Sequence, residues 1–176
     1  VSYVDAVLLM AASPRPIRFL MDHRIFRVPL LGWLFRLAKA IPIAPRQEDP
    51  QAYQAAFDAA DAVLAEGDLL CIFPEGGITV DGTLQPFKGG IMKILARRPA
   101  TVVPMALVNL YGSFFSRAEG GRAMSRPFRR GWFSRVTVVA APAVPSQAVS
   151  PEALHAQVAG LLQSDGETAS SKAVLT

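Results

Sequence analysis

The chain has 176 residues, a net charge of +4 and one cysteine, and 51% of its residues are hydrophobic. The length suits one domain with a full core, and a single cysteine excludes an internal disulfide and a cysteine-cluster metal site. No stretch reaches the roughly 18 apolar residues that cross a bilayer. The composition therefore favours a domain that lies on an anionic lipid surface or binds phosphate-bearing substrates.

The chain opens with an apolar helix, predicted over residues 5–12. Asp5 falls in its first turn, where the helix dipole favours a carboxylate. Pro14 and Pro16 end this helix, because proline cannot continue its hydrogen bonding. A short strand is then predicted over residues 17–21.

The segment 24–41 mixes large apolar residues with arginine and lysine. Pro29 and Gly32 argue against one continuous helix. This mixture is typical of a membrane-interface segment, with aromatic residues such as Trp33 and Phe35 among acyl chains and basic residues at the headgroups. The alternative is a core helix with solvated ends. Because the segment is apolar on too many sides for a surface helix, we expect it to bind membranes.

Helices and short apolar strands continue to alternate in the rest of the chain. Asp49 caps a helix that has Pro50 at its first position and closes at Gly67. The later elements are predicted in this order: a strand over 69–72, a helix over 89–98, a strand over 101–108, a basic loop over 112–134, a strand over 135–140, a helix over 151–163 and a disordered tail or linker over 164–176. The alternation predicts a single α/β domain over 1–163 with a mainly parallel sheet flanked by helices.

A Phe-Pro-Glu-Gly turn directly follows the predicted strand 69–72. The carboxyl ends of strands in an open α/β sheet are where active-site groups usually lie. Taken alone, the four residues favour an ordinary turn that carries a solvated glutamate. Their meaning depends on the other motifs of the chain.

Four short motifs follow one another along the chain: Ser-Tyr-Val-Asp at 2–5, Ile-Pro-Ile-Ala-Pro-Arg at 41–46, Phe-Pro-Glu-Gly at 73–76 and Val-Val-Pro-Met-Ala at 102–106. In this order and spacing they resemble the glycerolipid acyltransferase family, of the lysophosphatidic-acid acyltransferase or 2-acylglycerophosphoethanolamine acyltransferase type. The resemblance covers roughly residues 1–145. It implies the transfer of a fatty acyl group from a thioester, acyl-CoA or acyl-carrier protein, to the hydroxyl of a lysophospholipid or glycerol phosphate, with no cofactor and no metal.

The first motif of that family is His-x-x-x-x-Asp, in which the histidine takes the hydroxyl proton and the aspartate orients it. Ser2 and Asp5 match its second half, and Asp5 is carried over as the catalytic carboxylate. Its histidine would fall one position before Val1. We therefore expect a chain cut within this motif, which alone shows no acyl transfer.

The acceptor phosphate calls for fixed positive charge, and Arg46 matches the basic end of the second motif. The third motif helps to bind the glycerol phosphate in the family, which assigns Phe73, Pro74, Glu75 and Gly76 to the substrate. Many members continue with Thr-Arg-Ser, whereas this chain lacks that arginine at position 78. Lys88 either replaces it or is a surface lysine. This version resembles acyltransferase domains fused to lipid transporters, and one fewer arginine fits a phosphodiester acceptor.

Two other classes of function compete with the enzyme. One is a catalytically silent lipid- or membrane-binding domain, because the motif histidine is not in the chain. The other is a basic nucleic-acid-binding module, which is disfavoured because the aromatic residues lie beside aliphatic residues rather than in a Lys/Arg stripe. We expect a membrane-associated protein on the cytoplasmic face that binds no nucleic acid.

Overall fold

The computed structural model describes residues 3–76, 83–108, 137–164 and 169–175. The strands of this part are β1 (Ile17–Asp22), β2 (Ile41–Ile43), β3 (Leu69–Ile72), β4 (Val103–Val108), β5 (Thr137–Ala140) and β6 (Ala169–Leu175). Its α-helices are α1 (Tyr3–Ala12), α2 (Pro29–Leu37), α3 (Pro50–Ala65), α4 (Gly90–Arg97) and α5 (Pro151–Ser164). Two 3₁₀ helices lie at His23–Arg27 and Ser146–Ala148. The predicted loop over 112–134 lies outside the described residues.

The strands form one sheet in the order β2-β1-β3-β6-β4-β5. β1 pairs in parallel with both β2 and β3. β6 lies between β3 and β4 and is antiparallel to both, and β5 is antiparallel to β4. The strands β1 to β4 therefore point the same way. The predicted α/β class is confirmed by this parallel three-stranded unit with its flanking helices.

Strand β6 differs from the sequence-based expectation, which was a disordered tail or linker over 164–176. Its residues read Ala-Ser-Ser-Lys-Ala-Val-Leu, and most of them are small or polar. No alternation of apolar and polar residues marks such a run as a strand. It is a strand because its backbone pairs with β3 on one side and β4 on the other. The domain boundary at residue 163 stays a prediction.

The core has two layers because side chains alternate across the sheet. Phe19 and Cys71 point into the layer under α1 and α2. Leu70 and Ile72 point into the opposite layer, under α3, α4 and α5. The helices therefore cover both faces of the sheet and leave its ends to the connecting loops.

The predicted boundaries of α3 are confirmed. The side chain of Asp49 accepts a 2.8 Å hydrogen bond from the backbone N–H of Ala52, and Pro50 begins the helix. Gly67 follows the helix with a φ of +78°, a conformation that glycine adopts without strain. α3 therefore begins directly after the loop that carries Arg46, which fixes one end of that loop.

Candidate active site

The carboxyl ends of the three parallel strands lie within two residues of one another: β1 and β2 end at the paired residues Asp22 and Ile43, and β3 ends at Ile72, level with Leu20. Leu20 of β1 is paired with Ile41 of β2 and with Ile72 of β3. Parallel strands that share a register end at the same edge of the sheet. The segments that leave this edge are the 3₁₀ helix His23–Arg27, the loop 44–49 and the turn 73–76. The second and third predicted motifs therefore leave the sheet at the same edge, which is the edge of an α/β sheet where ligands usually bind.

The first turn of α1 belongs to the same edge. Residues 13–16 join α1 to β1, and Ala6 and Leu9 pack into the Phe19 layer. A helix with so short a link to the next strand runs back along it, so its beginning lies near the carboxyl end of β1. The backbone of Asp5 is in this first turn. The side chain of Asp5 lies outside the described part of the structure.

The turn 73–76 is anchored by its first two residues. The backbone N–H of Gly76 donates a 3.1 Å hydrogen bond to the carbonyl oxygen of Phe73, which closes the turn. The half-buried Phe73 ring stacks on Phe19, with centroids 6.3 Å apart, and Pro74 is buried. The side chains of Phe73 and Pro74 therefore hold the turn against the core, and their predicted contact with substrate stays a prediction.

Glu75 is a buried carboxylate at the tip of this turn. Only 5% of its surface is exposed, and its Oε2 accepts a 3.0 Å hydrogen bond from the backbone N–H of Gln85. A buried carboxylate is costly unless it is hydrogen-bonded. Glu75 therefore ties the turn to the segment that leads into α4. This is a structural role beside the substrate contact that the sequence predicts.

Lys88 lies against the same turn. Its backbone N–H donates to the carbonyl oxygen of Pro74 at 2.8 Å, and its Nζ donates to the carbonyl oxygen of Gly76 at 3.2 Å. An ammonium group has three donors, so the exposed side chain of Lys88 retains donors for a ligand. The structure thus places the ammonium group of Lys88 against Gly76 of the turn. Residues 77–79 lie outside the described residues.

Arg46 lies in an ordered turn just after β2. The carbonyl oxygen of Pro45 accepts hydrogen bonds from the backbone N–H groups of Glu48 and Asp49, at 2.9 and 3.0 Å. Arg46 is exposed, and its guanidinium group makes no hydrogen bond or ion pair in the described ranges. A cation on a fixed backbone with unused donors is suited to an anionic ligand.

A cluster around Glu48 holds this turn to the end of β1, and the sequence did not predict it. Glu48 Oε2 forms a 2.7 Å ion pair with Arg24, and Glu48 Oε1 lies 3.4 Å from Nε2 of His23. The Nδ1 atom of His23 is buried, 3.5 Å from Asp22 Oδ1. The sequence signals for this cluster were His23 and Arg24 directly after a predicted strand and the acidic Glu48 close to Arg46. Their pairing depends on β1 lying next to β2.

The segment 24–41 is broken as predicted, into the 3₁₀ helix and α2. The break is at Pro29, whereas Gly32 lies inside α2, where its missing side chain lets it pack on the carbonyl of Phe26. Trp33 is 61% exposed, but Phe35 is fully buried in the Phe19 layer. The expectation that both aromatics contact acyl chains therefore fails for Phe35. Residues two apart on a helix point in directions about 200° apart, so one faces out when the other faces in.

Two properties of the described residues bear on the kind of site. In the described helices, none is long and apolar enough to cross a membrane. Within the same residues, no three His, Cys, Asp or Glu side chains come together as a metal site. The carboxyl edge carries the exposed cations Arg46 and Lys88, the buried carboxylate of Glu75 and the ion pair of Arg24 with Glu48.

Comparison with known proteins gives one consistent family. The chain is 28% identical over 107 residues to a chloroplastic 1-acyl-sn-glycerol-3-phosphate acyltransferase of Brassica napus, a match that covers 61% of this chain and 30% of the relative. It is 30% identical over 135 residues to the 1-acyl-sn-glycerol-3-phosphate acyltransferase of Cocos nucifera, covering 77% and 43%. It is 28% identical over 104 residues to an N-acylphosphatidylethanolamine synthase of Arabidopsis thaliana, covering 57% and 36%.

The chain spans less than half the length of these relatives. No solved structure matches it significantly. The family model described as Acyltransferase matches residues 1–108, which include the three loops of the carboxyl edge together with α1. This match covers more than half of the chain and agrees with the motifs read from the sequence, so the chain belongs to the acyltransferase family.

Proposed function

We propose that this protein transfers a fatty acyl group from a thioester donor to the free hydroxyl of a phosphate-bearing glycerolipid, in phospholipid synthesis or remodelling. The observation that carries the proposal is that three of the four family motifs lie at one edge of the sheet. Arg46 and the turn 73–76 leave that edge together, and α1 begins beside it. Lys88 adds a second cation to the turn.

The reaction needs a base more than it needs an electrophile, because a thioester is already activated. A base that removes the proton of the acceptor hydroxyl lets the oxygen attack the thioester carbonyl, and the thiol leaves. We assign Asp5 as the carboxylate that orients the base. The base is the histidine that the sequence predicts before Val1, and its presence there stays a prediction.

His23 also lies at this edge, but its contacts suit a different role. Its Nε2 faces Glu48 at 3.4 Å, and its Nδ1 is buried beside Asp22. A general base needs a ring nitrogen directed at the substrate hydroxyl, whereas the Nε2 of His23 faces the Glu48 carboxylate. We infer that His23 helps Glu48 to hold the turn that carries Arg46.

The acceptor that we propose is a 1-acylglycerol phosphate. Arg46 and Lys88 offer two positive charges, which suit the two negative charges that a phosphomonoester approaches near neutral pH. The names of the Brassica and Cocos relatives specify the same acceptor class. A phosphodiester acceptor such as lysophosphatidylethanolamine is the alternative that the missing arginine at position 78 favours. The donor is acyl-CoA or acyl-carrier protein, and we propose that the protein works on the cytoplasmic face of a membrane.

The test is an acyl-transfer assay on the full-length protein that contains this chain. Acyl-CoA, or acyl-carrier protein in a parallel series, is supplied with 1-acylglycerol phosphate, with lysophosphatidylethanolamine, or with a diacyl phosphatidic acid that has no free hydroxyl. We expect release of free CoA thiol and an equal amount of diacyl product with 1-acylglycerol phosphate, and none with the diacyl control. Product from lysophosphatidylethanolamine alone would show that the acceptor is a phosphodiester lysolipid rather than 1-acylglycerol phosphate. No product from any acceptor, with either donor and a folded protein, would refute the proposed function.

A further inference from the structure

Helix α2 carries an apolar face that the domain leaves uncovered. Leu30 is 77% exposed, Trp33 is 61% exposed and Leu37 is 67% exposed. These three residues are spaced three and four positions apart, so they form one stripe along the helix. We call them the α2 stripe. Val28, which is 39% exposed, lies just before the helix, and Met92 on α4 is the other large apolar residue that is exposed in the described ranges.

The opposite side of α2 is also apolar, and it is occupied. Phe35 is fully buried, and Gly32 packs on the backbone of Phe26. The α2 stripe is therefore not needed to attach the helix to the domain. Helices that are apolar on nearly all sides are buried or face lipid, and contiguous exposed apolar patches on soluble domains mark interaction sites.

The charges around the α2 stripe select its partner. Residues 23–40 contain four basic side chains, Arg24, Arg27, Arg36 and Lys39, and no acidic one. Arg24 is paired with Glu48, and Arg36 donates to the carbonyl oxygen of Phe26 at 3.0 Å. Arg27 and Lys39 are exposed and make no ion pair with any described residue. A second copy of the chain would bring like charges together at this face, whereas an anionic membrane would neutralise them.

We propose that the α2 stripe docks on a bilayer that contains anionic phospholipid, with Trp33 at the boundary between headgroups and acyl chains. Tryptophan is enriched at that depth because its ring is apolar and its N–H group is polar. The cations at Arg27 and Lys39 then lie among lipid phosphates. A helix in the plane of the interface with this distribution needs no membrane-spanning segment.

The position of α2 relates this surface to the candidate active site. The 3₁₀ helix His23–Arg27 joins the carboxyl end of β1 to the start of α2, and Arg24 of that helix contacts Glu48 beside Arg46. A bilayer on the α2 stripe therefore adjoins the edge at which the acceptor binds. The statement that the docked bilayer adjoins the acceptor site rests on the proposed function, whereas docking itself does not.

Docking is tested with vesicles and without any activity measurement. The chain is mixed with vesicles of phosphatidylcholine, or of equimolar phosphatidylcholine and phosphatidylglycerol, and bound protein is separated by flotation. Replacing Leu30, Trp33 and Leu37 by Ser should weaken partitioning roughly a hundredfold or more, because each large apolar side chain contributes on the order of tenfold. The matched control is Met92→Ser, which removes an exposed apolar residue from the other face of the sheet and should leave binding unchanged. Circular dichroism shows whether each variant is folded.

The electrostatic part has its own comparison. Arg27→Gln with Lys39→Gln should weaken binding roughly tenfold or more on the anionic vesicles and leave binding to pure phosphatidylcholine nearly unchanged. Arg15→Gln with Lys93→Gln removes the same charge elsewhere and should have a much smaller effect. A uniform loss from both pairs would mean that net charge alone attracts the protein, which would contradict a docking face at α2.

Tryptophan fluorescence locates the contact directly. The chain has two tryptophans, so Trp132→Phe leaves Trp33 as the only reporter. On anionic vesicles its emission should shift to shorter wavelength and be quenched by lipids brominated in the acyl chain. No quenching, or equal vesicle binding by the stripe variant, would refute the proposal. Sedimentation velocity without lipid tests whether a second copy of the chain binds this face instead. A dimer that is abolished by the stripe substitutions, together with no vesicle binding, would make this face a self-association surface.

The link to catalysis is tested separately in the full-length protein. With acceptor presented in vesicles, the stripe variant should lose most of its acyl transfer, whereas with a water-soluble short-chain acceptor it should equal the wild type. Equal activity in both assays would refute the link between docking and acceptor delivery. Vesicle binding by a protein that transfers no acyl group would refute the proposed function and leave docking intact.

Discussion

Lys88 occupies the space that a side chain at position 76 would need. Its Nζ donates to the carbonyl oxygen of Gly76 at 3.2 Å, and a Cβ atom on Gly76 would lie 2.8 Å from that Nζ. Gly76 also has a φ of +63°, which L-residues avoid. Glycine at position 76 therefore permits both the turn and the placement of Lys88 against it.

The first prediction concerns this turn. Gly76→Ala should lower the free energy of unfolding by about 1–3 kcal/mol, because it combines a left-handed backbone with displacement of Lys88. Gly67→Ala is the matched control for backbone strain, since Gly67 has a φ of +78° and open space around it. Urea denaturation measures both. In a Lys88→Ala background, Gly76→Ala should cost no more than Gly67→Ala does. If Gly76→Ala lowers the free energy of unfolding as much in the Lys88→Ala background as in the wild type, Lys88 does not restrict position 76.

The second prediction concerns Glu48, which we place as a positioning residue for Arg46. Glu48→Gln removes the charge that holds Arg24 and His23, so it should raise the apparent KM for the acceptor several-fold and leave kcat nearly unchanged. Its effect on stability should be within about 1 kcal/mol, because the ion pair is exposed. Steady-state kinetics on the full-length protein measures the split.

The double variant separates positioning from a general structural effect. If Glu48 acts through Arg46, Glu48→Gln should have no further effect on the acceptor KM when Arg46 is already Ala. Glu66→Gln, in an exposed residue after α3 and away from this edge, is the control and should change neither KM nor kcat. Additive effects of Glu48→Gln and Arg46→Ala would contradict the positioning role.

The third prediction concerns the pH dependence of stability. Arg98 donates hydrogen bonds to the Asp61 carboxylate at 2.8 and 3.3 Å, and these hold the pKa of Asp61 below its ordinary value. A carboxyl whose pKa is lower in the folded state adds stability above its unfolded pKa, about 3.9, and loses it as pH falls through the folded pKa. The stability difference between wild type and Asp61→Asn should therefore be constant from about pH 5 to 7 and shrink below about pH 4.

The control for that prediction removes the partner. The effect of Asp61→Asn on the unfolding free energy is measured against pH a second time, in an Arg98→Ala background. Without the guanidinium group, this effect should lose most of its acid dependence, since only the smaller contribution of the Arg97 charge remains. If the dependence persists undiminished without Arg98, a group other than the Asp61–Arg98 pair is responsible for it.

The elements that the sequence predicted are those with local causes. Asp49 and Pro50 start α3 through a cap and a fixed φ, and both lie within one turn of the helix they begin. The apolar run 69–72 and the turn after it were likewise readable, because strand, proline and glycine are neighbours in sequence. The carboxyl-edge location of the site followed from the parallel arrangement of the strands.

The features that the sequence could not provide depend on contacts between distant residues. Strand β6 has little strand character of its own and is a strand because β3 and β4 flank it. Glu48 meets His23 and Arg24 only because β1 and β2 are paired. The opposite environments of Trp33 and Phe35 depend on which side of α2 faces the sheet, which the mixed composition of 24–41 left open.

Arg46 tests the central claim that the carboxyl edge of the sheet binds the acceptor phosphate. In the full-length enzyme, Arg46→Ala removes a charge-assisted hydrogen bond, typically about 1.5–3 kcal/mol, or roughly ten- to a hundredfold in binding. Lys at this position should recover only part of the loss, because a point charge does not reproduce the planar guanidinium. Arg15→Ala is the control, since Arg15 is exposed at the opposite edge of the sheet, where it donates to the carbonyl oxygen of Gly67.

The deciding measurement is the apparent KM of the Arg46→Ala enzyme for the acceptor and for the acyl donor, determined in the same assay. We expect the apparent KM for 1-acylglycerol phosphate to rise roughly ten- to a hundredfold and the apparent KM for the acyl donor to change little. Unchanged acceptor kinetics in a folded Arg46→Ala protein would contradict this expectation and leave Arg46 a solvated loop residue.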